Sequence, residues 1–216
     1  KKKERKEKLR ELKAAQARQQ LAEAQAKEQA QKETAEKIKT QEEIQSTLTA
    51  MNAEAENGTL HLGKALVYYK QAAALGDADS QYRLGNMFAE GRYVTQDFAE
   101  TRSYYSQAAA QGHVAALANL GAMYERGKGG EEDEKLAFEC FEKAAEKGHP
   151  EAQYRLGNMY AESSVVDTDL VKARALYDLA ADQGHVAAQN NIALMEALAA
   201  KDPNPPSTPA EAQAYW

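Results

Sequence analysis

Cysteine, proline and bulky rings are all scarce in this chain. Cys140 is the one cysteine in 216 residues, so no intrachain disulfide can form and the redox compartment stays open. Aromatic residues make up only 7% of the chain, with a single Trp, while Ala and Gln are abundant. That balance suits tightly apposed helices with small residues between them, not one bulky core. No run of about 18 apolar residues exists, so no segment is expected to cross a membrane as a helix. Neither a signal peptide nor an initiating Met is present at Lys1, and any targeting segment is expected upstream.

Charge is uneven. The net charge is −6, yet residues 1–13 hold eight Lys/Arg against three Glu, which leaves −11 for the remainder. An acidic body excludes nucleic acid as the expected partner, because phosphate neutralisation supplies most of that affinity. The basic stretch Lys1–Lys13 instead suits proximity to a membrane, on anionic lipid or after an upstream span.

What is present is a repeat. Residues 81–90, Gln-Tyr-Arg-Leu-Gly-Asn-Met-Phe-Ala-Glu, return at 153–162 with nine of ten letters unchanged, 72 residues later. Leu120, Gly121, Met123 and Tyr124 fill the same slots halfway between, so the period is 36. Gly76, Gly112, Gly148 and Gly184 close successive units, and His113, His149 and His185 follow three of them. A fixed period in this range marks a solenoid with one supersecondary unit per repeat. The fold class expected is all-α: an α/α superhelical solenoid behind a long N-terminal helix.

Residues 1–56 contain no Gly and no Pro and are rich in Lys, Glu, Gln and Ala, the strongest helix formers. Opposite charges four apart, as in Glu4–Lys8, Glu23–Lys27, Glu28–Lys32 and Glu33–Lys37, each add about 0.2–0.5 kcal/mol. The heptad seam is poor, which favours a solvated single helix over a dimeric coiled coil without excluding a homodimer. Residues 1–40 are assigned to this stalk, and 41–200 to the solenoid. The solenoid comprises a degenerate first repeat 41–76, complete repeats Asp77–Gly112, His113–Gly148 and His149–Gly184, and a capping helix 185–200. Residues 201–216 form a Pro-rich tail, read as a disordered linker or as a strip that docks on the last helix.

Within each complete repeat, the first helix starts near Ser80, Ala116 or Ala152. The mid-helix Gly85, Gly121 and Gly157 each cost about 1 kcal/mol in helix propensity, which close approach of a neighbouring helix would justify. Tyr105, Phe141 and Tyr177 are the knobs of the second helices, and Gly112, Gly148 and Gly184 have the position of left-handed C-caps.

The string Leu120-Gly121, Tyr124, Gly127, Gly129, Asp133, Ala137, Phe141, Ala144-Ala145, Gly148 resembles the Sel-one-like repeat, a relative of the tetratricopeptide repeat. The resemblance implies a superhelix whose first helices line a concave face, and an adaptor or scaffold role, in bacteria often within envelope, signalling or secretion assemblies. It places Asp97, Asp133 and Asp169 ahead of the second helices as N-caps or first-turn partners. Ser163 and Val165 depart from the inter-helix glycines of the pattern.

On that resemblance the groove would be lined by Tyr82, Asn86, Glu90, Arg126, Tyr154, Asn158, Glu162 and Asn190. Such a ladder suits an extended protein or peptide segment, with amides against its backbone and rings against its side chains. The alternative is that the matching letters record duplication alone. Catalysis is not expected. The histidines are spaced a whole unit apart and read as helix caps, and no cofactor or metal ligand set converges. The function expected is a non-catalytic interaction adaptor, with a structural tether at a membrane as the alternative. The compartment leans towards the bacterial envelope, with the cytoplasm as the other choice.

Overall fold

A computed structural model describes residues 2–56, 62–162 and 165–199, with side chains for 18–54, 63–162 and 165–198. Among these residues the secondary structure is helical throughout. The order is α1 (Lys2–Glu56), α2 (Leu62–Ala74), α3 (Ala78–Glu90), α4 (Phe98–Ala110), α5 (Val114–Glu125), α6 (Glu134–Glu146), α7 (Pro150–Glu162), α8 (Leu170–Asp182) and α9 (Val186–Ala199). The tail 201–216, the Asn57-Gly58 turn and Ser163 lie outside the described residues.

The chain divides into two units, residues 1–59 and 60–216. The first is α1, 55 residues without interruption, or about 80 Å at the helical rise. Every described side chain from Arg18 to Lys39 is exposed. Of the charge pairs expected there, Glu28–Lys32 closes at 2.7 Å. Glu23 and Glu33 accept instead from the amides of Gln19 and Gln29, each at 3.0 Å. The degenerate repeat 41–76 would draw its first helix from this unit and its second, α2, from the other.

The second unit is built of helical hairpins: α3 with α4, α5 with α6, α7 with α8, then α9 alone. First helices begin two residues ahead of the expected Ser80, Ala116 and Ala152 because the capping side chain sits further upstream. Asp77 accepts from Ser80 N–H at 2.8 Å, and His113, His149 and His185 accept through Nδ1 from Ala116, Ala152 and Ala188 at 3.1, 3.4 and 3.2 Å. Second helices are capped by Asp97, Asp133 and Asp169, which accept from Glu100, Leu136 and Lys172 N–H at 3.0, 2.9 and 3.0 Å. Each cap satisfies an orphan donor and contributes about 1 kcal/mol. At the other end, Gly112, Gly148 and Gly184 take φ of 80°, 82° and 85°, where a side chain would be strained.

The helical glycines are explained by their neighbours. A Cβ on Gly85 would lie 2.5 Å from the Tyr105 ring, one on Gly121 2.7 Å from Phe141, and one on Gly157 2.6 Å from Tyr177. The three rings are themselves buried, at 4%, 0% and 4% exposure, between alanines such as Ala108, Ala144 and Ala180 that are sealed completely. Aromatic burial of this size dominates a core otherwise made of small residues. First helices form the more buried layer, and along α5 every residue is buried or half-buried. Second helices put Ser103, Gln107, Lys143, Glu146, Asp178 and Asp182 into solvent.

Candidate first-helix interaction face

Tyr82 and Tyr154 occupy one slot on α3 and α7, half-buried and fixed by rings on either side. Tyr82 stacks on the His113 imidazole at 4.5 Å between centroids and on Tyr105 at 5.8 Å. Tyr154 stacks on His185 at 4.6 Å and leans on Tyr177 at 6.0 Å. The imidazoles are set in turn. Their Nδ1 atoms accept the capping bonds, so Nε2 is left to face a carboxylate: Asp79 at 3.1 Å from His113, and Glu151 at 2.9 Å from His185. Carboxylate, imidazole and phenol ring thus form a rigid row at two places 72 residues apart. Neither tyrosine hydroxyl has a hydrogen-bond partner among the described residues.

Asn86 and Asn158 lie beside these rows, and their amide oxygens are occupied. Tyr105 donates its hydroxyl to Asn86 Oδ1 at 2.6 Å, and Tyr177 donates to Asn158 Oδ1 at 2.8 Å. Asn191 Nδ2 also donates to Asn158 Oδ1 at 3.3 Å. Burial, opposed by the Asn119 side chain and aided by Tyr82 and Glu90, pushes the Tyr105 phenol up to about 12, so the donor keeps its proton. The asparagines therefore hold the second helix against the first, and what they retain for a partner is their N–H groups.

Glu90 is exposed and pairs with Arg92 at 2.8 Å. Arg126 caps the end of α5 and reaches Glu125 only at 3.9 Å. Glu162 and Asn190 are exposed near the ends of the row. The sequence did not point to Arg155, which bridges Glu151 at 2.7 Å and Glu125 of the preceding repeat at 2.9 Å. Burial works against charge on Glu151, but the bonds and charges of His185 and Arg155 outweigh it and hold its carboxyl below the ordinary range. Gln81 and Gln153 were missed as well. Each amide donates to the closing turn of the previous repeat, at Ala73 O (3.2 Å) and Ala145 O (3.4 Å), and accepts from Gln111 and Gln183 at 2.8 Å. A 30-residue offset joins both Gln pairs, and a signal of that kind was present in the sequence.

Elsewhere the chemistry is quiet. Burial pushes the Cys140 thiol up to about 11, which leaves it protonated and unreactive. Among the described residues no group of His, Cys, Asp and Glu is arranged to hold a metal ion, and no helix is long and apolar enough to cross a membrane.

The family model of the Sel1 repeat matches residues 62–77, 78–113, 114–149 and 150–185, more than half of the chain. The chain belongs to the Sel1 repeat family. Among solved structures, a protective antigen of uropathogenic Escherichia coli displaying an SLR fold is 28% identical, with a TM-score of 0.66 over 78% of this chain. This chain spans 36% of that antigen's length. A Sel1 repeat protein from Oxalobacter formigenes is 36% identical, with a TM-score of 0.55, covering 59% of this chain and 96% of its own. Comparison with curated proteins found no match. Sel1 repeat proteins are in general non-catalytic scaffolds that mediate protein–protein interaction. The Sel1 match starts at residue 62 and takes in α2 but not α1.

Proposed function

We propose that this Sel1 repeat protein is an interaction scaffold that holds an extended segment of a partner protein along its first helices α3, α5 and α7. The observation that carries this reading is the pair of unpartnered phenol hydroxyls on Tyr82 and Tyr154. Neither hydroxyl is among the buried groups that lack a partner, so both face solvent and are open to a partner, and both rings are already held by imidazole stacks, so little entropy remains to be lost on binding. The asparagine N–H groups of Asn86 and Asn158 lie beside them as donors to a peptide carbonyl, with Glu90, Arg126, Glu162 and Asn190 at the margins. The two solved relatives are bacterial proteins, which supports a setting in a bacterial assembly.

The test is selection from a displayed library of extended peptides, followed by affinity measurement. The Tyr82→Phe/Tyr154→Phe double variant keeps both rings and removes only the hydroxyls. Binding of the selected peptides is expected to weaken about tenfold, as the loss of one to two hydrogen bonds implies. Helicity should be unchanged. Peptides that bind the double variant equally well would place the site elsewhere.

A further inference from the structure

The last helix departs from α3, α5 and α7 in its chemistry. Leu198 stands in the slot that Glu90, Arg126 and Glu162 fill with exposed charge, and Leu194 in that of Asn86, Ala122 and Asn158. Val186, Leu194 and Leu198 are 66%, 59% and 46% exposed, whereas the large hydrophobics of α3, α5 and α7 are all buried or half-buried. A missing second helix does not account for Leu198, because its slot faces solvent in every complete repeat. Glu196 is the one charge on α9, and Arg174 holds it at 2.8 Å. An exposed apolar helix face without free charge is the kind of surface that a partner covers.

The shape of that face says which partner fits it. Leu194 and Leu198 lie one turn apart and form a ridge. Ala193 and Ala197, both exposed, form a shallow row beside it. Ridges of residues four apart pack into the grooves between such rows on a facing helix, at a crossing of about −50°. Here ridge and shallow row sit side by side on one helix. Two copies of α9 related by a two-fold axis therefore satisfy each other, since each lays its leucines over the alanines of the other, as an isologous contact requires. Charge favours the same occupant. The chain carries −11 outside its first thirteen residues, so copies repel over most of their surface. The α9 face sets no like charges against each other.

We propose that α9 joins two copies of this chain, with Leu194 and Leu198 of each seated against Ala193 and Ala197 of the other. The contact uses no residue of the Tyr82–Asn86 and Tyr154–Asn158 rows, so it stands or falls apart from the reading of what those rows bind. It is equally separate from pairing through α1, where Leu21 and Ile38 are the exposed large hydrophobics.

The test is the mass of the full chain by sedimentation and light scattering, up to about 100 μM, where a dimer with a dissociation constant of about 1–10 μM is largely formed. A mass of two chains is expected at the top of that range. Leu194→Asn restores the residue of the Asn86 slot and Leu198→Glu that of the Glu90 slot. Both positions are exposed in α9, so helical dichroism should be retained. Together the two changes are expected to raise the dissociation constant about a hundredfold, because each buries a polar group without a partner. Leu21→Glu with Ile38→Glu should leave the mass unchanged. A single-chain mass across the whole range overturns the proposal. A dimer that survives the α9 pair of changes, or one that the α1 pair dissociates instead, overturns it equally.

Discussion

The first and third complete repeats share one set of polar contacts, and the second lacks every member of it. Where the outer two have Asp79 or Glu151, Tyr82 or Tyr154, Asn86 or Asn158, and a hydroxylated ring, the second has Ala115, Ala118, Ala122 and Phe141. Gln81 and Gln153 are matched by Leu117. His149 keeps its capping bond but has no carboxylate in the Asp79 slot and no ring in the Tyr82 slot. The substitutions move together because each polar group is the partner of another. A lone Tyr105 hydroxyl opposite alanine, or a lone Asn86 opposite phenylalanine, would leave a half-buried group unsatisfied at about 1–3 kcal/mol. The period of 36 is therefore the period of the backbone and its caps, and 72 is the period of the side-chain bonds between helices.

The largest effect should come from the apolar repeat, where Phe141 is sealed completely at the centre of the cluster. Phe141→Ala empties the space over Gly121 and is expected to cost about 3–5 kcal/mol, read from denaturant unfolding. In the polar repeats the ring and the amide should be coupled. Tyr105→Phe is expected to cost about 1–2 kcal/mol and Asn86→Ala a similar amount, whereas the double variant, which recreates the Phe141/Ala122 pairing, should cost clearly less than their sum. An additive double-mutant cycle would mean that the 2.6 Å bond contributes nothing specific.

Ser80 sharpens the comparison in the opposite direction. It stands at 1% exposure in a slot held elsewhere by Ala116, Ala152 and Ala188, and its hydroxyl has no partner. Ser80→Ala should stabilise the chain by about 1 kcal/mol, visible as a higher melting temperature. The smallest effect is a pH dependence confined to the second repeat junction. Burial, opposed by Glu151, holds the His149 imidazole below its ordinary value. With the folded value below the unfolded one, the unfolded chain takes up the proton first. Stability is then full above about pH 6.5 and declines as the pH falls through the folded value. Melting curves at pH 7 and pH 5 should show the decline, and His149→Asn, which keeps a capping oxygen, should reduce it.

Much of this was readable from the residues. Gly85, the Asp97 series and the histidine caps act within a few positions of themselves or recur at every repeat, so local chemistry and periodicity are enough to place them. Asn86 was legible as a recurring letter but not as the acceptor for Tyr105, since that pairing spans 19 residues between two helices. The Asp79–His113 contact spans 34 and was equally hidden. Tyr93 could not be foreseen. It takes a left-handed φ of 63° in the slot where Gly129 has 75°, a conformation the pattern reserves for glycine. On α1, Gln19 and Lys27 compete for Glu23 with energies of a few tenths of a kcal/mol, and composition does not rank such choices.

The alternation also constrains how a chain of this kind can change in length. Removing residues 113–148 would bring Arg155 against the Ala89 slot in place of Glu125, which now pairs with it at 2.9 Å. Removing 113–184 would instead seat Arg102 where Arg174 reaches Glu196, and Tyr82 where Tyr154 meets His185. Gain or loss in pairs leaves every junction with a familiar neighbour, whereas single steps create seams that this molecule has never had to close.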